Sequence, residues 1–122
     1  MNNTKTYDFE DGAGEVPAHQ HSNGGGWVAD SASVAASAFV GPDAKVYGNA
    51  WVYGNAWVYG NAWVFGTARV FGTARVFGNA VVLGTAEVYG NARVFGTALV
   101  FGNAKVYGDA KVYGNAHVCT GE

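Results

Sequence analysis

The chain has 122 residues, enough for one domain, and combines 15% aromatic residues with only 13% charged residues. Its net charge of −2 is too small to indicate a nucleic-acid or membrane surface by itself, and a single cysteine, Cys119, excludes an intrachain disulfide. No apolar run approaches the ~20 residues of a membrane span, and the first residues lack the apolar stretch of a secretory signal. We therefore expect a cytoplasmic protein, or a virion-associated one if a phage encodes it, with no membrane partner.

Residues 1–26 differ from the rest of the chain. They are acidic, with one lysine against four acidic residues and hence a net charge of −3, and they end in three glycines. Because a repeat array needs a polar cover on its terminal repeat, we expect this segment to be a tail that leads into an N-terminal cap. His19 and His21 are the alternative, a metal site, but no third ligand is nearby, so we predict no metal.

Residues 27–122 repeat one six-residue phrase, x-V-[Y/F]-G-[N/T]-A, sixteen times without an insertion. Valine holds the second place in every copy from Val28 to Val118, and alanine holds the sixth place from Ala32 to Ala116. Such an uninterrupted period predicts a solenoid. It leaves no room for the long loops that usually carry catalytic residues.

Within each phrase, valine and alanine alternate with the outward residues, which is the period of a β-strand. Glycine followed by asparagine or threonine interrupts the strand every six residues and predicts a turn. Valines spaced six apart fall on no single face of a helix, so the pattern excludes a helix.

The Ala-x-Val spacing resembles that of the hexapeptide-repeat family, and the tyrosine-glycine-asparagine-alanine variant is typical of its small YGNA-type members from bacteria and phages. The resemblance implies an all-β fold, a single-stranded left-handed parallel β-helix of triangular cross-section. It further implies three hexads per coil and about five coils. The left hand comes only from the resemblance, because parallel crossovers are usually right-handed.

A coil of eighteen residues stacks side chains that are eighteen apart, so each outer face is two columns of residues. The columns of the first face are Trp27, Lys45, Trp63, Val81, Leu99 and His117, and Ala29, Tyr47, Phe65, Leu83, Phe101 and Cys119. Those of the second are Ser33, Trp51, Arg69, Glu87 and Lys105, and Ala35, Tyr53, Phe71, Tyr89 and Tyr107. Those of the third are Phe39, Trp57, Arg75, Arg93 and Lys111, and Gly41, Tyr59, Phe77, Phe95 and Tyr113.

The centre of the first face carries no charge. Its six large apolar side chains would expose several hundred Å², and an apolar patch of this size predicts self-association. The predicted oligomer interface is Trp63, Phe65, Val81, Leu83, Leu99 and Phe101. The resemblance implies a trimer packed along this face. An end-to-end dimer through the strand edge of the last coil is an alternative, and so is a ladder that merely covers the sides of the coils.

The third face places cations beside aromatic rings, a pattern that suits an acidic protein partner of unknown identity. The predicted partner-binding residues are Trp57, Tyr59, Arg75, Phe77, Arg93, Phe95, Lys111 and Tyr113. Nucleic acid or sugar stacked on the rings is an alternative, and local cation–π contacts that keep the face soluble are another.

The sequence favours a non-enzymatic protein, a rigid homo-oligomeric rod that presents aromatic and basic ladders to a protein partner. A phage or mobile-element component and an inhibitor of a host protein are concrete forms of it. The family resemblance also suggests an acyltransferase, but only His117 lies within the repeats and no base–nucleophile pair accompanies it. The predictions are therefore no catalytic residue, no metal and no cofactor, with a minimal acyltransferase and a carbohydrate- or nucleic-acid-binding module as alternatives.

Overall fold

The structure is a computed structural model that describes residues 5–9 and 14–119. All regular elements among them are β-strands. The strands are β1 (Lys5–Asp8), β2 (Glu15–Gln20), β3 (Trp27–Ala29), β4 (Ser33–Val34), β5 (Phe39–Val40), β6 (Lys45–Val46), β7 (Trp51–Val52), β8 (Trp57–Val58), β9 (Trp63–Val64), β10 (Arg69–Val70), β11 (Arg75–Val76), β12 (Val81–Val82), β13 (Glu87–Val88), β14 (Arg93–Val94), β15 (Leu99–Val100), β16 (Lys105–Val106), β17 (Lys111–Val112) and β18 (His117–Val118).

From β3 onward the strands form three parallel sheets, one for each side of the solenoid. The orders are β3-β6-β9-β12-β15-β18, β4-β7-β10-β13-β16 and β5-β8-β11-β14-β17. The register pairs residues eighteen apart, as in Val64 with Val82, so three hexads make one coil. The predicted all-β parallel solenoid of about five coils is confirmed, while its left hand stays a prediction.

The interior is a narrow column of valine and alanine. Every repeat valine from Val40 to Val106 is at most 1% exposed, and the alanines from Ala38 to Ala104 are fully buried. Because each phrase contributes the same two inward side chains, the core has the same thickness along its length. Stability therefore comes from contacts between neighbouring coils, as in other solenoids.

Backbone hydrogen bonds join each coil to the next at a fixed offset of seventeen residues. The Tyr53 N–H donates to the Val70 carbonyl (3.0 Å), and the Asn55 N–H donates to the Gly72 carbonyl (2.9 Å). The second bond lies at a corner, where the phrase's glycine has a positive φ. Corner threonines add side-chain bonds, as when the Thr67 hydroxyl donates to the Gly84 carbonyl (2.9 Å).

The described part of the N-terminal segment covers two of the three strand edges of the first coil. Strands β1 and β2 form an antiparallel pair, and β2 pairs antiparallel with β3. Residues 23–26 then pair with β5, because the Val40 N–H donates to the Asn23 carbonyl (3.0 Å) and the Gly26 N–H donates to the Val40 carbonyl (2.9 Å). Of the cap predicted for residues 1–26, residues 1–4 and 10–13 lie outside the described part of the chain.

The corner glycines generate a stability prediction. A Cβ at Gly78, where φ is +69°, would lie 3.0 Å from the backbone nitrogen of Gly96, whereas one at Gly108, where φ is +64°, would meet nothing within 4 Å. Both alanine variants carry the left-handed backbone cost of about 1–2 kcal/mol. Gly78→Ala should lose at least about 1 kcal/mol more in free energy of unfolding, because the neighbouring coil must move. Urea denaturation of the two variants measures the difference, and equal losses would contradict stacking of the corners.

Candidate interaction surfaces

The structure gathers the predicted partner-binding residues on one side of the solenoid. Strand β11 pairs with β8 on one side and with β14 on the other, so Arg75 lies between Trp57 and Arg93. Strand β17 continues the column with Lys111. The third face thus carries three neighbouring cations at the spacing of the coils, ~4.8 Å between strands.

The aromatic column beside them is a continuous stack. Tyr59 and Phe77 have ring centroids 4.9 Å apart at 4°, Phe77 and Phe95 are 4.9 Å apart at 5°, and Tyr113 follows Phe95 at 5.4 Å and 12°. Because the rings lie parallel at the coil spacing, each interior ring has its two faces covered by its neighbours. The surface therefore presents ring edges, which carry the positive side of the ring quadrupole.

The cations of the third face differ in their contacts. The Arg75 guanidinium carbon lies 5.1 Å from the Trp57 ring centroid, a cation–π contact worth about 0.5–1 kcal/mol at an exposed site. In the described part of the chain, Arg93 and Lys111 contact neither an acidic side chain nor a ring. Local cation–π pairing therefore accounts for Arg75 and leaves the other two cations free for a partner.

The second face carries charged residues of both signs. The Arg69 guanidinium lies 5.4 Å from the Trp51 ring and 3.9 Å from the Glu87 carboxylate, so two groups already engage its charge. The Arg69 side chain is 51% exposed, so the ion pair contributes little stability. Its ring column, Tyr53, Phe71, Tyr89 and Tyr107, is stacked like that of the third face.

The first face is partly covered by the N-terminal strands. Tyr7 stacks on Trp27 at 4.7 Å and 21°, and Phe9 stacks on Tyr47 at 4.7 Å and 19°. Phe9 is only 2% exposed. It occupies the place above Tyr47 where the first coil carries Ala29 and so has no ring of its own. The hairpin formed by β1, Phe9 and β2 thus supplies a ring at the first position of the aromatic column. We call such a position a rung of the ladder of stacked rings.

The six predicted interface residues lie on the first face, and two of them border this hairpin cluster. Trp63 and Phe65 pack against it, and Phe65 stacks on Tyr47 at 4.7 Å. The remaining four are partly exposed below the hairpin; they are Val81, Leu83, Leu99 and Phe101. Sequence reasoning missed Phe9 and Tyr7, although their alternation with polar residues in KTYDF was a strand signal.

Two concavities accompany the outer columns. One, of about 300 Å³, is lined by Asn61, Trp63, Asn79 and Val81. It forms because the Val81 side chain is smaller than the neighbouring Trp63 side chain. The other, of about 370 Å³, lies on the first two coils of the second face. Its lining residues are Ser33, Val34, Ala35, Trp51, Val52 and Tyr53.

The histidines are engaged separately. His19 Nδ1 lies 2.7 Å from an Asp30 carboxylate oxygen, whereas His21 is buried and its Nε2 lies 2.8 Å from the Ala38 carbonyl, which fastens the cap to the first coil. His117 is exposed and edge-on to Phe101, with centroids 6.5 Å apart. Across residues 5–9 and 14–119 there is no cluster of three or more His, Cys, Asp or Glu side chains suited to a metal.

Among known protein families, one that describes a solenoid repeat matches part of this chain. A family model described as the YdcK beta solenoid repeat matches residues 44–60 and, in a second overlapping copy, residues 50–66. These stretches lie in the part of the solenoid that carries Trp51 and Trp57. No curated protein and no solved structure matches the chain. The described residues contain no helix able to cross a membrane.

Proposed function

We propose that this protein is a non-enzymatic interaction protein, a rigid β-solenoid of the hexapeptide-repeat type that binds an acidic protein partner through its third face. The observation that carries the proposal is the row of Arg75, Arg93 and Lys111 along a flat aromatic ladder, with no acidic residue in either column of that face. A partner with carboxylates at a similar spacing would neutralise charges that now repel one another.

The rigidity of the scaffold supports this function. The three cations are anchored on neighbouring strands whose register is set by backbone hydrogen bonds, such as that from the Arg75 N–H to the Ala92 carbonyl (3.0 Å). A surface that is already ordered loses little conformational entropy on binding. Long side chains on such strands can meet a partner without rearrangement of the backbone.

The ring edges favour an anion over a stacked base or sugar. Nucleic-acid and sugar recognition by aromatic side chains uses the ring face. On the third face the faces of Phe77 and Phe95 are covered by neighbouring rungs. The exposed edges have the polarity that attracts carboxylates and add to the attraction of the cations.

A charge-reversal pair tests this proposal with poly-L-glutamate as the probe. Arg75→Glu combined with Arg93→Glu should weaken binding at least about ten-fold, because it inverts the centre of the third face. The matched control is Arg69→Glu combined with Lys105→Glu, which changes the net charge equally on the second face. Isothermal titration calorimetry at two salt concentrations measures the affinity of each double variant for poly-L-glutamate.

Equal losses of affinity for poly-L-glutamate in the two double variants would show that binding depends only on net charge. That result would contradict a site on the third face. Tighter binding of oligothymidylate than of poly-L-glutamate would instead favour a nucleic-acid-binding module. Weaker binding at higher salt is expected for the wild-type protein, since the contact is electrostatic.

We further propose that copies of the chain associate through the uncovered part of the first face. Val81 and Leu99 lie on adjacent coils, with Leu83 and Phe101 beside them, so these positions of the two columns carry no charge. Removing such a surface from water contributes about 25 cal/mol for each Å² of apolar area, and the entropy lost on association opposes this gain.

Leu99→Glu tests the assembly. A carboxylate at this place would have to be desolvated in the oligomer, so the variant should have a lower mass than the wild type. Size-exclusion chromatography with light scattering gives the mass, and Lys105→Glu on the second face is the control. A monomeric wild-type protein, or an unchanged mass in Leu99→Glu, would contradict an interface on this face.

A further inference from the structure

The first coil has one strand edge that the described part of the N-terminal segment leaves without a backbone partner. Strand β2 pairs with β3, and residues 23–26 pair with β5. Strand β4, in contrast, ends its sheet and, among the described strands, pairs only with β7. The N–H groups of Ser33 and Ala35 donate toward the second coil, to the carbonyls of Ala50 (2.9 Å) and Val52 (2.8 Å). The backbone N–H and carbonyl of Val34, which lies between them, therefore face away from β7.

Burial shows the same opening. Val28 and Val40, the inward valines of the other two sides of this coil, are fully buried, whereas Val34 is only partly buried. Nothing among the described residues lies over this edge in the way that β2 and residues 23–26 lie over theirs.

The ring column below this edge lacks its first rung. Ser33 and Ala35 stand above Trp51 and Tyr53, where the lower coils carry larger side chains. Tyr53 stacks on Phe71 at 4.8 Å on one side and contacts no ring above it among the described residues. Trp51 lies edge-on to Tyr53 at 6.1 Å and is 47% exposed. The result is the concavity of about 370 Å³.

The first face shows what fills such a gap. There Ala29 leaves the place above Tyr47 empty, and Phe9 enters it from the hairpin and stacks on Tyr47. The edge of β3 is at the same time completed by β2. A ring and a strand, both from outside the repeats, therefore complete the first coil on this side.

We propose that the second face of the first coil binds an extended segment of a partner protein, which pairs with the edge of β4 and inserts an aromatic side chain over Tyr53. Strand addition supplies backbone hydrogen bonds to Val34, and the ring occupies the concavity. The undescribed residues 1–4, 10–13 and 120–122 contain no aromatic residue, so none of them can provide this rung. The site is separate from the third face and does not depend on its cations.

Blocked pentapeptides test the proposal. Lys-Val-Phe-Val-Lys should bind the full chain at least about ten-fold more tightly than Lys-Val-Ala-Val-Lys, because only the first supplies a ring to stack on Tyr53. Nuclear magnetic resonance titration measures both affinities. Hydrogen exchange of the Val34 amide should slow by about ten-fold in the complex, while that of Val40, which is already bonded, should not change.

Ala35→Phe supplies the missing rung from the chain itself and should abolish peptide binding, whereas Ala35→Ser keeps the gap and should leave it intact. Tyr53→Leu removes the stacking platform and should also abolish the preference for the aromatic peptide, which provides a second variant if Ala35→Phe does not fold. Arg75→Glu with Arg93→Glu should not change the affinity for the peptide, because both residues lie on the third face, away from β4. Failure of the third-face proposal would therefore leave this one standing.

The proposal is overturned if the phenylalanine peptide does not bind at millimolar concentration. It is also overturned if the two peptides bind equally, or if Ala35→Phe binds like the wild type. Binding that protects amides elsewhere and leaves Val34 unchanged would show a different site.

Discussion

The structure depends on one constraint: every coil must contain the same number of residues. Backbone N–H groups donate to carbonyls seventeen residues later, as from Trp63 to Ala80 and from Val81 to Ala98. A single inserted residue would shift this ladder and exchange inward for outward side chains. The uninterrupted phrase satisfies the constraint, and glycines with positive φ turn the corners without a side chain that would strike the coil beside them.

The same constraint determines what the surface can present. Because outward residues repeat at the strand spacing, aromatic side chains stack on one another, with rings such as Phe71 and Tyr89 only 3° from parallel. Their faces serve the stability of the solenoid, and their edges and the neighbouring cations face solvent. Differences between the three sides then arise from single substitutions in the phrase, such as valine in place of a cation at Val81 or glutamate at Glu87. All three proposed surfaces follow from this geometry: the cationic third face, the apolar part of the first face, and the gap above Tyr53 on the second face.

The fold and the composition of each face could be predicted from the sequence, because a strict period converts residue number directly into position. The register of Arg75 with Arg93, for example, required only the length of the coil. The N-terminal contacts could not be predicted in this way. Phe9 reaches Tyr47 across a distance in sequence that no periodicity encodes, and the covering of Val28 and Val40 but not Val34 depends on how a non-repeating segment folds back. The gap above Tyr53 is visible only after those contacts are known.

The most direct test of the account is a set of inter-strand nuclear Overhauser effects on isotopically labelled protein. The coil predicts cross-peaks between the amide and α protons of residues on neighbouring coils, such as Val64 with Val82 and Val82 with Val100, at a constant separation of eighteen residues. Observing that separation on all three sides would establish the columns on which the three proposed surfaces rest. Cross-peaks at another separation, or at separations that vary along the chain, would contradict the account, because the ladders of rings and cations would no longer exist.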